Sequence, residues 1–278
     1  MRFVSFRNVD GTAGYGRLEG ETIVDLGAEP GAPVNLRAAI AAGGLAALDG
    51  SGRHCLADVA LLPVIPDPAK ILCVGLNYAT HVAETGREQK DRPAIFTRWA
   101  DTLVGHGQPL LRPRESTRFD YEGELAVIIG KAGRRILRAD AMAHVAGYAV
   151  INEGSVRDWQ RHNSQFIPGK NFPSSAGFGP AMVTPDEIAD LGAQRVQTRI
   201  NGQLVQDQPV SDMIWDIAEI IEYCSTFTAL SPGDVISTGT PGGVGDKRKP
   251  PLYMQAGDIV EISIGEIGTL ANPVADDS

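Results

Sequence analysis

Phe119-Asp120-Tyr121-Glu122-Gly123-Glu124-Leu125-Ala126-Val127-Ile128-Ile129-Gly130 is the stretch on which the reading of this chain turns. Its second half is an unbroken apolar run closed by Gly130, so Tyr121 to Gly130 reads as a strand of the buried type. Residues two apart on a strand share a face, which points Glu122 and Glu124 the same way. Asp120 joins them if the strand begins early enough. Crowded carboxylates repel unless protonated or bound to a cation, and Mg²⁺ or Mn²⁺, hard ions that take oxygen ligands, suit such a set. The competing reading is a solvent-facing edge with an acidic stripe, because Glu-x-Glu is a common pattern.

Working outward, Lys70 to Gly75, Ala146 to Asn152, Val235 to Thr238 and Ile259 to Ile264 also read as strands. Tyr78 to Gly86 fits one or two helical turns with Gly86 as the stop, and Ile214 to Leu230 has helical spacing. Residues 1 to about 65 look like a small separate layer: strand-like runs at Arg2–Arg7, Tyr15–Leu18 and Thr22–Leu26, then an Ala-rich helical stretch from Leu36 to Leu48. The proline-rich segment Leu61 to Pro68 favours an extended connection. The expected division is therefore 1–65 and 66–278, within a β-rich, mixed α/β fold with few helices.

The formal net charge of −9 argues against nucleic acid as a partner, since binding phosphate backbones requires clustered Lys and Arg. The one short basic cluster, Asp246-Lys247-Arg248-Lys249, reads as a solvated loop. No apolar run approaches the ~20 residues that cross a bilayer, so no membrane partner is expected. The strand-like start lacks the apolar core of a signal peptide, which points to the cytoplasm. Cys55, Cys73 and Cys224 are odd in number and show no C-x-x-C pattern, which fits idle or buried thiols.

Other side chains could carry chemistry, each with a plain alternative. Glu153 ends the Ala146–Asn152 run just before Gly154, at the kind of strand end where sites form; an acidic turn residue is the ordinary reading. Arg157 and Gln160 share a face if Val156 to His162 is helical. Lys170, in a Pro/Gly loop, could steady a developing enolate, or be a surface lysine. His81 and Glu84 are three apart on a short helix, which lets the carboxylate orient an imidazole for acid–base work; a surface contact is the alternative. In Ser237 to Gly245, backbone N–H groups and a Thr hydroxyl could hold a carboxylate. That loop lacks the Lys-Ser/Thr of a P-loop, so nucleotide binding is not expected.

The order and spacing of these segments resemble the fumarylacetoacetate hydrolase family over roughly residues 68 to 270: Gly75 to Glu84, Asp120 to Gly130, Gly147 to Gln160, Pro168 to Lys170, Asn201 to Gln206 and Pro232 to Gly245. The resemblance implies a mixed β-sandwich roll, a small N-terminal α+β domain, a homodimer, and Mg²⁺ or Mn²⁺ on Glu122, Glu124 and Glu153. It implies a His81–Glu84 dyad that activates water, Lys170 as a further catalytic group, and Arg157, Gln160 and Thr240 as substrate contacts. Two departures stand out. Glu153 replaces the family's usual Asp, and no acidic residue follows Lys170 near Pro173. The expected reaction is hydrolytic C–C cleavage of a 2,4-dioxo acid of the acylpyruvate type. Isomerisation or decarboxylation of a related diacid, or a non-catalytic oxo-acid-binding homologue, are the alternatives.

Overall fold

A computed structural model describes residues 1–277. The first strands, β1 (Arg2–Arg7), β2 (Ala13–Glu19), β3 (Thr22–Asp25), β4 (Gly52–Cys55) and β5 (Ala60–Leu61), enclose helix α1 (Leu36–Ala42). Then come β6 (Ile71–Gly75), α2 (Ala79–Thr85), β7 (Ala94–Thr97), β8 (Leu103–Val104), β9 (Leu110–Arg112), β10 (Phe119–Asp120) and β11 (Gly123–Ile129). The centre of the chain is β12 (Val145–Asn152), β13 (Ser155–Val156), two single-turn helices α3 (Arg157–Gln160) and α4 (Ile167–Lys170), and β14 (Ala176–Val183). It closes with β15 (Arg195–Ile200), β16 (Gln203–Pro209), α5 (Ile217–Phe227), β17 (Val235–Ser237), β18 (Ile259–Ile264) and β19 (Gly268–Asp276).

One long mixed sheet runs β4-β3-β2-β1-β14-β12-β11-β17-β6-β7. A second sheet, β16-β15-β18-β19-β9, packs on one face of it. Strand β11 is buried along its whole length. Its Leu125, Val127 and Ile129 face the second sheet with Val196 and Ile262, while Ala126 and Ile128 face Phe3, Leu36 and Ile151. That two-sided burial explains why its sequence is a continuous apolar run rather than an alternation.

Residues 1–65 supply strands to the same long sheet. Strand β1 pairs with β14, Phe3 opposite Met182, and Tyr15, Leu26 and Leu36 share one core with Ile71, Ala126 and Phe178. The reason is an edge: without β1, the ladder face of β14 would be open to solvent. The expected helix from Ile214 starts only at Ile217, because the Asp216 side chain accepts from Glu219 N and caps it there. Helix α1 stops at Ala42, where Gly43 and Gly44 take positive φ. No helix among the described residues is long and apolar enough to cross a membrane.

Candidate active site

The expected strand from Tyr121 to Gly130 is interrupted, and the interruption builds the site. Strands β11 and β12 pair as far as Gly123 opposite Asn152; β10 and β13 resume the pairing at Asp120 opposite Ser155. Between these ladders, Glu122 and Glu153 leave the regular pleat together, held by Glu153 N donating to Glu122 O at 2.8 Å and Glu122 N to Asn152 Oδ1 at 3.0 Å. Gly154 makes this crossing possible: a Cβ there would lie 2.0 Å from the Ser175 carbonyl oxygen.

Glu122, Glu124 and Glu153 are all buried, and each offers an oxygen within 4.8 Å of the others. Lys170 Nζ donates to Glu122 Oε2 at 2.7 Å and Glu153 Oε2 at 3.1 Å. Arg157 Nη1 lies 2.6 Å from Glu122 Oε1, and its Nε donates to Asp120 Oδ2 at 2.7 Å. Glu124 Oε2 accepts from Ser237 Oγ at 2.6 Å and Gly239 N at 2.8 Å. Burial, then the neighbouring Glu153 and Glu122, push the Glu124 carboxyl well above the usual carboxylate range. At Glu122 burial also acts upward, but Lys170 and Arg157 outweigh it and hold that carboxyl well below the range. Burial works against the Lys170 charge, yet Glu122 and Glu153 overcome it and raise the ammonium above its ordinary value.

The donor set fits a hard divalent cation. Three carboxylates converge, and Glu153 Oε1 is buried with no hydrogen-bond partner, a cost that a bound ion would remove. Glu122, Glu124 and Glu153 would hold the ion.

On the open side lies a cavity of about 80 Å³, lined by these three residues and by His81, Arg157, Gln160, Lys170 and Thr240. Glu84 stands behind His81: its Oε1 is 2.7 Å from His81 Nδ1, and its Oε2 accepts from Gly243 N at 2.8 Å. That contact places a proton on Nδ1, which donates to the carboxylate, and leaves Nε2 as the free ring nitrogen. Arg157 Nη1 donates to Gln160 Oε1 at 3.0 Å, while its Nη2 is buried without a partner. Gly169 lets α3 and α4 meet, since a Cβ there would sit 2.2 Å from Gln160 N. This places Lys170 beside Arg157. The Thr240 hydroxyl is already engaged, donating to Gly123 O at 3.0 Å and accepting from Gln206 Nε2 at 2.8 Å.

Three expectations need correction. Asp120 does not join the carboxylate cluster; fully buried, it accepts from Gly245 N, Asp246 N and Arg157 Nε and ties the glycine loop to α3. The basic cluster at 246–249 is a loop solvated only in part: Lys247 and Lys249 are exposed, whereas Asp246 and Arg248 are half-buried. Arg248 Nη2 donates to Val205 O at 2.7 Å and its Nε to the Tyr121 hydroxyl at 3.0 Å, and Lys247 lines the cavity. Lys170 needs no acidic residue near Pro173, because Glu122 and Glu153 orient it. Ser175, two residues on from Pro173, instead accepts from Arg98.

Arg98 escaped the sequence reading. It is 2% exposed, donates to Gly154 O at 2.6 Å, and brings Nε to 3.6 Å from Glu153 Oε1. The only signal was a cation two residues beyond the apolar pair Ile95-Phe96. Asn77 falls inside the Gly75–Glu84 segment with no role expected of it: buried, it joins the ends of β6 and β17 by donating to Thr238 O at 2.7 Å and Trp215 O at 3.0 Å.

The fold is one of paired sheets with three buried carboxylates, a candidate cation site, at a break in its central strands. Residues 70–275 match the family described as fumarylacetoacetate (FAA) hydrolase C-terminal. The chain belongs to the fumarylacetoacetate hydrolase family. It is 40% identical over 288 residues to oxaloacetate tautomerase fahd2, mitochondrial, of Xenopus laevis, covering 99% of this chain and 90% of that protein. It is 42% identical over 229 residues to oxaloacetate tautomerase YisK of Bacillus subtilis, covering 81% and 76% respectively. Among solved structures, 5-carboxymethyl-2-hydroxymuconate delta-isomerase from Mycobacterium smegmatis aligns over 100% of both chains with a TM-score of 0.83 and 32% identity.

Proposed function

We propose that this family enzyme catalyses keto–enol tautomerisation of a short 2-oxo dicarboxylate of the oxaloacetate class, with Mg²⁺ or Mn²⁺ in the carboxylate cluster. The observation that carries this reading is His81, its Nδ1 fixed on Glu84, in the wall of a small cavity that also contains Lys170 and the unpartnered Nη2 of Arg157. The relatives that match along most of the chain are tautomerases, and the structural neighbour is an isomerase.

A bound divalent cation supplies Lewis-acid polarisation of a substrate oxygen. Arg157 Nη2 and the free amide group of Gln160 orient the carboxylate beside the 2-oxo group. His81 Nε2 takes the proton from the carbon next to the carbonyl, and Glu84 stabilises the resulting imidazolium. Lys170, held charged between Glu122 and Glu153, donates a hydrogen bond towards the developing enolate oxygen. Returning the proton to oxygen completes the enol, and no water is consumed. The hydrolytic reaction expected from the sequence uses the same dyad on a water molecule; two tautomerase relatives favour proton transfer alone.

The test follows the decay of enol absorbance of oxaloacetate with Mg²⁺, Mn²⁺ or EDTA, for the wild type and His81→Ala. Metal-dependent acceleration that falls roughly 10²–10⁴-fold in His81→Ala is expected. Pyruvate release from acylpyruvates without accelerated tautomerisation would restore the hydrolytic reading. Acceleration undiminished in His81→Ala would remove the dyad from the reaction.

A further inference from the structure

The cations around the cavity are committed, with one exception. Lys170 is engaged by Glu122 and Glu153, Arg157 by Asp120 and Glu122, and Arg161 and Lys247 by Asp246. Arg87, which also lines the cavity, has no carboxylate within 4.0 Å among the described residues. It follows the last turn of α2, the helix that carries His81 and Glu84.

Its guanidinium carbon lies 5.0 Å from the centroid of the Phe166 ring. Phe166 packs edge-on against Phe96, centroids 5.7 Å apart at 85°, and Lys170 Nζ sits 5.0 Å from the Phe96 centroid. A ladder of cation, ring, ring and cation thus runs from the carboxylate cluster to the cavity mouth. Phe166 holds φ at 66°, a left-handed conformation that a bulky side chain rarely adopts. Such strain persists only where the surroundings enforce it, and it recurs at ligand sites. A guanidinium stacked on a ring keeps its N–H donors at its edge, free for a carboxylate. Beyond Arg87 the cavity widens into an outer groove of about 650 Å³ that shares Leu76, Phe96, Gln160 and Phe166 with it.

The geometry points to Arg87 as the residue that selects for a second, distal carboxylate on the substrate, with Phe166 as the platform that holds it at the mouth. This rests on the proposed function for the 2-oxo diacid class. A dianion bound by one carboxylate at Arg157 and Gln160 must keep its other end away from Glu122, Glu124 and Glu153. Arg87 is the uncommitted cation among the residues lining the cavity, and a hydrogen-bonded charge pair there discriminates against a ligand lacking the charge.

The experiment is calorimetric titration, with Mn²⁺ present, of oxaloacetate and its 4-methyl ester into the wild type, Arg87→Gln and Arg87→Lys. The expected result is roughly tenfold tighter binding of the diacid by the wild type. That preference should vanish in Arg87→Gln through weaker diacid binding, with ester affinity within about twofold, and return in part in Arg87→Lys. A preference retained in Arg87→Gln, or equal weakening of both ligands, overturns the assignment. Because the readout is binding, an Arg87-dependent preference without tautomerisation would keep the selector and remove the proposed reaction. Tautomerisation without that preference would do the reverse, and no binding of either acid to the wild type would overturn both.

Discussion

Glu124 and Lys170 make opposite demands within one buried cluster: burial and its neighbours push Glu124 towards protonation, while Glu122 and Glu153 keep Lys170 charged. Lys170 therefore neutralises part of the charge that a metal would otherwise balance. Replacing it with Met leaves Glu122 and Glu153 without that partner, and loss of one member of a buried ion pair costs about 3–5 kcal/mol. The metal-free Lys170→Met protein should melt well below the wild type, and Mn²⁺ should raise its Tm by more than it raises that of the wild type. Equal Mn²⁺ shifts in the two proteins, read by scanning calorimetry, would separate Lys170 from the cation's role. At this scale the motifs were informative because their residues repeat recognisable local spacings: His81 and Glu84 one helical turn apart, Glu122 and Glu124 two apart. Arg98 and Arg87 were not legible. Their partners, Glu153 and Phe166, lie far along the chain, and an arginine in Thr-Arg-Trp or Gly-Arg-Glu carries no sign of burial or stacking.

Among the elements, the eight strands expected, out of nineteen among the described residues, lie within two residues of the observed bounds, and β1 and β18 match over all of their length, because alternating or continuous apolar runs declare themselves locally. The break at Tyr121–Glu122 did not. It depends on β10 pairing with β13 after β11 has paired with β12, a register that neither strand encodes alone. The link between β8 and β9 gives a second case. There the His106 imidazole accepts from Ala271 N of β19 at 3.1 Å through Nδ1. Burial lowers its pKa below the ordinary 6.5, against an upward pull from the Thr269 backbone. Its neutral form is thus the folded form. The stability it contributes is present above the unfolded value of 6.5 and is lost as pH falls from there through the depressed folded value. Urea unfolding between pH 7.5 and 5 should show the wild type losing more stability than His106→Gln, whose amide oxygen can accept from Ala271 without titrating. Parallel losses would assign the acid sensitivity elsewhere.

At the scale of the molecule, the long sheet makes residues 1–65 part of the frame that carries the site. Strand β14 pairs with β12, which ends at Asn152 just before Glu153, and on its other side with β1. Phe3, Tyr15 and Leu36 fill the same core as Ala126 and Ile151. A chain beginning at residue 66 would expose that core and the β14 edge, and is expected to aggregate without a cooperative melting transition. A soluble product that melts cooperatively would make 66–278 an independent unit.

The sequence by itself determined the β-rich class and the order of the motifs, and through their resemblance to a family it singled out the carboxylates, His81, Glu84 and Lys170 that line one cavity. Tertiary structure alone decided that Glu122 and Glu153 leave the sheet together, that Asp120 anchors a loop instead of joining them, that residues 1–65 extend the central sheet, and that Arg87 stands unpaired at the mouth. Those outcomes follow from pairing register, close backbone approach and the balance of charge among groups distant along the chain. Each exists only once the strands have met.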